Sequence, residues 1–413
     1  LSAKYDLGLF KDPFKFCSED RAAKEIYTEQ TRAFARESAA KSFVLLKNKN
    51  QVLPLKPPQK IALIGPLVNN KENMGGTWAV SEDRKNSITL LEGLKKGPGR
   101  AEILTARGAN IYSDPQLDAN AAMFGKTTGR DSRSDKEMLE EAVAVAKKAD
   151  VIVAALGESA EMSGEASSRT RIDIPENQVQ LLKALVATGK PVVLVLLTGR
   201  PLTLNWENEH VDAILNVWFA GSEAGNAIAD VLYGKVNPSG KLPVTFPRNE
   251  GQIPIYYAMK NTGRPHSGKP GFEKFRSNYL DAPNTPLYPF GFGLSYTTFR
   301  YSAPEIDRPV IGQSESATVT VSVSNTGNFD GEEIVQLYIR DVEGSVTRPL
   351  KELKGFKKVM IRKGETVKVS FTVNAETLSY YYSDLKLRAE KGEYEIMTGP
   401  NSAEIQKVKL ELR

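Results

Sequence analysis

The chain has 413 residues, too many for one ordinary domain and enough for two or three that each bury a core. Its 55 basic and 50 acidic side chains leave a net charge of +5 and are not gathered into an arm or stripe, which argues against nucleic-acid binding. With 25% charged and 40% hydrophobic residues, and no apolar run near the roughly 20 residues of a membrane helix, it reads as a globular protein without a bilayer-spanning segment.

The first residues, "LSAKYDLGLFKDPF", carry neither an initiator Met nor a basic-then-apolar leader, as expected of a processed or truncated product. Residues 1–36 are expected to form a strap that passes into an amphipathic helix around "SEDRAAKEIYTEQTRAFARESAAKSF". Short β-branched runs then alternate with helical patterns between about 60 and 246. The runs are "KIALIG", "AEILTA", "DVIVAALG", "PVVLVLL", "VDAILNV" and "LPVTF", and between them lie "DKEMLEEAVAVAKKA", "PENQVQLLKALVATG" and "SEAGNAIADVLYG". In the second of these helices Val179, Leu182, Leu185 and Val186 share a face, with Pro175 at its start and Gly189 at its stop. Runs such as "PVVLVLL" are apolar at nearly every position, as strands covered on both faces are. Residues 37–246 are therefore predicted to be an α/β sandwich with a mostly parallel sheet.

Residues 247–296, rich in Pro, Gly and Tyr, are too long for a connector and too aromatic for a disordered linker; they predict an ordered strap on the α/β surface. From 297 to 413 the pattern changes to period two, in "SATVTVSVSNTGNFDGEEIVQLYI", "KKVMIRKGETVKVSFTV" and "GEYEIMTG", with turn residues between the runs. A β-sandwich of immunoglobulin or fibronectin type III kind is the natural reading. The fold class is thus α/β plus all-β.

Little metal or thiol chemistry is open to the chain. Cys17 is its one cysteine, and His210 and His266 lie too far apart for a local metal motif, so neither metal nor cofactor is expected. No Gly-x-Ser-x-Gly elbow follows a strand, which sets a serine-hydrolase triad aside. The residues that invite a chemical reading are three glutamates, Glu158, Glu161 and Glu165, in "GESAEMSGEASSR" directly after "DVIVAALG". Ligands of open α/β sheets bind beyond the carboxyl ends of the parallel strands, where this loop begins. Glu158 follows the strand at once and reads as a structural acceptor at the strand end. Glu165 is held out among small residues, with Arg169 as a charge partner, on a loop expected to be loosely held. A carboxylic acid so placed suits general-acid work if another surface lowers solvent access around it.

"ESAAKSFVLLKN", "IALIGP", "ALGESAEMSGEASSR", "WFAGSEAGNAIADVLYGKVNPSGKLPVTFP", "YPFGFGLSYTTF" and "RPLKELKGF" occur in this order over nearly the whole chain. Together they resemble the C-terminal two thirds of glycoside hydrolase family 3 enzymes, the bacterial periplasmic β-glucosidases most of all. The resemblance implies a TIM-barrel domain upstream, carrying the nucleophilic aspartate in Ser-Asp-Trp, then the α/β sandwich and the fibronectin-like domain. It implies Glu165 as the general acid/base, with Glu158 and Arg169 supporting the loop and strand end. Trp78, Trp206 and Trp218 follow Thr77, Asn205 and Val217, so this chain has no Ser-Asp-Trp and no nucleophile of its own.

On this reading the partners are an oligosaccharide or β-glycoside substrate and the missing barrel domain, with a homodimer possible in the intact enzyme, no nucleic acid and no membrane. The location is periplasmic or secreted, and the isolated chain is expected to be folded and inactive. A competing reading is a non-catalytic carbohydrate-binding or adhesion module that uses Tyr288, Phe290, Phe292 and Tyr296. Two further stretches are ambiguous. "MGGTWAVSED", with Gly75, Gly76 and Trp78, could approach a sugar or merely pack, and "SVTRPLKELKGFKKV" reads as a solvated strand and turn.

Overall fold

The computed structural model describes residues 1–56, 59–80, 83–97, 101–122 and 127–413; residues 81–82, at the end of "MGGTWAVSED", lie outside them. The first sheet has six strands: β1 (Val44–Asn48), β2 (Ile61–Ile64), β3 (Ile103–Ala106), β4 (Val151–Gly157), β5 (Val192–Leu197) and β6 (Ala213–Asn216). Their order is β1-β6-β5-β4-β2-β3, with β2 to β6 parallel to their neighbours and β1 antiparallel along β6. Every residue of β2, β4, β5 and β6 is buried, because helices cover both faces. One face packs against helices Glu29–Ser42, Leu90–Lys95 and Ala224–Leu232, the other against Asp135–Lys147 and Glu176–Val186. In Glu176–Val186 the fully buried side chains are Gln178, Leu181, Leu182 and Leu185, with Val179 and Val186 at the flanks of that face.

Two expected elements take another form. The single helix expected over residues 18–43 is two, Glu19–Glu25 and Glu29–Ser42, broken where Tyr27 adopts φ 57° and Thr28 caps the second through a 3.2 Å bond from the Thr31 N–H. The second helix runs past residue 36 and belongs to the α/β layer, pinned to it by Arg32–Glu223 at 2.7 Å and Arg36–Asp230 at 2.6 Å. "LPVTF" adds no strand to the sheet. Pro243 has no N–H to give a ladder, and the segment pairs instead with the strap, through backbone bonds of Leu242 with Gly291 and Phe292 and a bridge between Phe246 and Tyr288; the antiparallel edge position is taken by β1.

The C-terminal unit contains β7 (Phe299–Tyr301), β8 (Glu305–Ile306), β9 (Val310–Ile311), β10 (Ser316–Asn325), β11 (Gly331–Asp341), β12 (Glu352–Ile361) and β13 (Thr366–Asn374). A hairpin of β14 (Tyr380–Tyr381) and β15 (Leu387–Arg388) follows, then β16 (Gly392–Gly399) and β17 (Gln406–Leu412). One sheet runs β13-β10-β7 with β8 on β10, the other β12-β11-β16-β17-β9, and the alternate apolar residues of both close a single core.

The strap 247–296 touches both units. Phe290 stacks on Tyr257 with ring centroids 4.2 Å apart, and Tyr257 meets Tyr338 of β11 edge-on at 5.8 Å. Tyr288 is buried, and Tyr296 donates its hydroxyl to the Val231 carbonyl at 2.7 Å. These aromatics are packed, so the sugar platform of the competing reading is not built from them. "SVTRPLKELKGFKKV" is not simply solvated either. The Arg348 guanidinium lies 3.6 Å from the Tyr380 ring centroid, the Leu350 N–H bonds the Met259 carbonyl at 2.9 Å, and Lys351 Nζ donates to the Ser402 carbonyl at 2.6 Å.

A buried ion pair joins the two units. Lys241 Nζ is 3.1 Å from Glu333 Oε1, which also accepts the Tyr301 hydroxyl at 2.8 Å; the two charged side chains are 10% and 4% exposed. Removing one member leaves the other charge uncompensated, so Lys241→Met is expected to cost about 3–5 kcal/mol of stability in urea denaturation. Glu333→Leu added to it should return much of that loss, because the pair is then replaced by apolar groups.

Candidate active site at the carboxyl edge of the sheet

The last residue of β4, Gly157, hands the chain to Glu158, whose N–H continues the ladder by donating to the Leu197 carbonyl of β5 at 2.8 Å. The Glu158 side chain is fully buried among donors. Its Oε1 accepts Arg169 Nη1 at 2.9 Å and lies 3.0 Å from Arg200 Nε. Its Oε2 accepts the Thr198 hydroxyl at 2.8 Å and the Gly199 N–H at 3.1 Å. A buried carboxylate ringed by charges and donors is held in place and has no room to reach a substrate. Arg169, expected as a partner for Glu165, is spent on Glu158 and on the Asp173 carbonyl at 3.0 Å.

The loop beyond is better held than its composition suggests. Residues 159–163 are buried and include a short turn, Ala160–Met162. The Ser159 hydroxyl donates to the Ala121 carbonyl at 3.1 Å, and the Ala160 N–H donates to Asn73 Oδ1 at 2.7 Å. Glu161 is also buried, and its Oε2 accepts the Thr77 hydroxyl at 2.9 Å, which ties the loop after β4 to the one after β2. Gly164, at φ 117°, approaches Thr77 so closely that a Cβ there would stand 2.3 Å from its methyl.

Glu165 comes next and is exposed, with no hydrogen bond or ion pair to its carboxylate among the described residues. Ala166 turns the chain back at φ 57°, and the Ser167 hydroxyl closes the turn on the Glu161 carbonyl at 2.9 Å. The three glutamates thus have two fates. Two are sealed into the scaffold, and one stands at the tip of a loop whose base they fix. Trp78 follows Thr77 and is 67% exposed, so packing does not account for it.

Beside the loop lies a groove of about 660 Å3 lined by Tyr112, Glu161, Met162, Ser167, Arg169 and Arg171, among others. Burial raises the Tyr112 hydroxyl above its ordinary pKa, against the opposing pull of the Arg169 charge. Among the described residues no three His, Cys, Asp or Glu side chains converge where a metal ion could be held.

Comparison with known proteins decides the family. The profile of the glycosyl hydrolase family 3 C-terminal domain matches residues 43–296, and that of the fibronectin type III-like domain matches 333–402. The chain belongs to glycosyl hydrolase family 3. It is 45% identical over its whole length to the periplasmic β-glucosidase of Salmonella typhimurium, of which it covers 54%. With a β-xylosidase of Formosa agariphila it shares 39% identity over 97% of its length, covering 52% of that protein. A mutant β-glucosidase of Listeria innocua solved in complex with laminaribiose superposes with a TM-score of 0.88 at 36% identity, over 99% of this chain and 53% of that one. The same enzyme has been solved with isofagomine and with glucose, at 37% identity in both. The chain spans about half the length of these relatives.

In this family 3 chain the residue that sequence reasoning missed at the strand ends is Arg200. It follows "PVVLVLLTG" as Glu158 follows "DVIVAALG", and a charge just past the end of a strongly apolar strand was the available signal. Gly199 beside it passes so close to the loop that a Cβ would stand 2.0 Å from Ser163 Oγ. Glu158→Ala strips the carboxylate from two partly buried arginines. It is expected to lower stability by about 3–5 kcal/mol, read as a lower urea midpoint at unchanged m-value.

Proposed function

We propose that this chain is the acid/base-bearing C-terminal part of a retaining, exo-acting β-glucosidase that releases terminal β-D-glucosyl or related β-glycosyl residues from oligosaccharides or glycosides. The observation that carries the reading is the placement of Glu165, the exposed, unpaired carboxyl on a loop anchored at the carboxyl edge of the sheet in a family 3 chain. Relatives named for β-glucosidase activity, one of them solved with laminaribiose, support a β-glucoside as substrate; the β-xylosidase relative marks related glycones as the nearest alternative.

In this reading the nucleophile is an aspartate on a barrel domain ahead of Leu1. The aspartate attacks the anomeric carbon while the Glu165 carboxyl gives its proton to the glycosidic oxygen, and the C–O bond breaks to release the aglycone as an alcohol. The Glu165 carboxylate then takes a proton from a water that attacks the same carbon and displaces the aspartate. Both steps need the two carboxyl groups about 5–5.5 Å apart, so the barrel must seat against the edge from which Glu165 projects. The exposure of Trp78 on the neighbouring loop supports a role for its indole in approaching the sugar. By the same likeness to the Salmonella enzyme, the working location is the periplasm.

Two measurements test this. The purified 413-residue chain should show a cooperative unfolding transition and no hydrolysis of aryl β-glucosides; turnover that disappears in Glu165→Ala would overturn the dependence on a second domain. In the enzyme with its barrel in place, Glu165→Ala should cost about 10²–10⁴-fold on sugar aglycones and much less on activated aryl ones, with azide restoring part of the latter. The same signature in Glu158→Ala, with Glu165→Ala like the parent, would move the acid to the strand end.

A further inference from the structure

The turn that carries Glu165 is closed across its base by a guanidinium from just beyond the neighbouring strand. Arg200 follows β5, its side chain is only 19% exposed, and its Nε lies 3.0 Å from the buried Glu158 carboxylate. From there Nη2 reaches into the loop and donates to two backbone carbonyls, that of Ser167 at 2.9 Å and that of Met162. These carbonyls stand on either side of the segment 163–166, which contains Glu165 and its two left-handed neighbours, Gly164 and Ala166. One planar cation therefore closes both ends of the turn that presents the carboxyl, while its other edge rests on a carboxylate fixed to the sheet. A lysine could not do this, since a single ammonium on a flexible stem lacks the fork that spans three oxygens.

We propose that Arg200 is the positioning residue for Glu165: it sets the distance from the acid to the glycosidic oxygen by clamping the Met162 and Ser167 carbonyls, and it touches neither substrate nor the reacting atoms. This rests on the reading of Glu165 as the acid/base. A loop released at its base still presents a carboxyl, but in many geometries, and small misplacements of a reacting group cost large factors in rate. The loss falls on steps that need proton transfer and leaves sugar binding alone.

The test is made in the enzyme with its nucleophile domain in place, comparing Arg200→Met, Arg200→Lys and Glu165→Ala on laminaribiose and on 2,4-dinitrophenyl β-glucoside. For Arg200→Met, kcat on laminaribiose is expected to fall about 10–100-fold, a part of what the acid itself contributes, with KM within about twofold. The loss on the activated glucoside should be several-fold smaller and partly recovered by azide, and Arg200→Lys should lie between Arg200→Met and the parent. Equal losses on both substrates without an azide effect, or a change confined to KM, in a protein with parental circular dichroism would overturn the proposal. If Arg200→Met does not fold, Arg200→Lys decides by the same criteria. Glu165→Ala separates the two levels. If it shows the leaving-group signature and the Arg200 variants do not, only the positioning role falls; if it behaves like the parent, the acid assignment falls and the positioning role with it.

Discussion

The carboxylate of Glu158, sealed at the end of β4 between Arg169, Arg200, Thr198 and the Gly199 amide, is the interaction on which the site depends. A charge buried this completely is tolerated only with partners on all sides, and here they come from two separate pieces of chain. Arg169 lies on the descending limb of the Glu165 loop, while Thr198, Gly199 and Arg200 continue β5. One ionised group thereby converts two adjacent strand ends and a loop into a single rigid body. The sheet supplies the fixed reference, and the loop inherits it through arginines that reach back to the same carboxylate.

The layers were legible in the sequence because period and burial are local properties. Short, mostly apolar runs pointed to β2 to β6, and alternation pointed to the long strands of the sandwich. "LPVTF" misled because an apolar, β-branched run passes the same filter whether or not its backbone can pair, and the proline decides that. β1 escaped notice because "FVLLKN" follows a helix without a break in pattern; its place as an antiparallel edge strand depends on β6, far away in sequence. The helix break at Tyr27 likewise rests on one residue's left-handed conformation, which composition does not reveal.

At the site, sequence pattern and family resemblance together singled out Glu158, Glu165 and Arg169, but the pairing among them was a matter of tertiary geometry. By sequence distance Arg169 lies nearer Glu165 than Glu158, yet it serves the buried one, where the penalty for an unpaired charge is largest. Arg200 offered only its place just past an apolar strand; the contacts that define its role go to backbone carbonyls, which have no signature in side-chain identity. The motif "SVTRPLKELKGFKKV" was read in part for a related reason. It forms the expected turn and a largely exposed edge strand, β12, but its first half also meets the strap and the hairpin of β14 and β15.

The bond from the Thr77 hydroxyl to Glu161, with Gly164 pressed against the same threonine, has a mechanical corollary. Trp78 and Glu165 each sit one residue beyond that joint, on loops from different strands, so a push on the indole is felt at the carboxyl. Two loops geared together in this way cannot be tuned one at a time. A lineage that reshapes the tryptophan loop shifts the Glu165 carboxyl in the same stroke, and has to readjust Thr77 or Gly164 to bring it back.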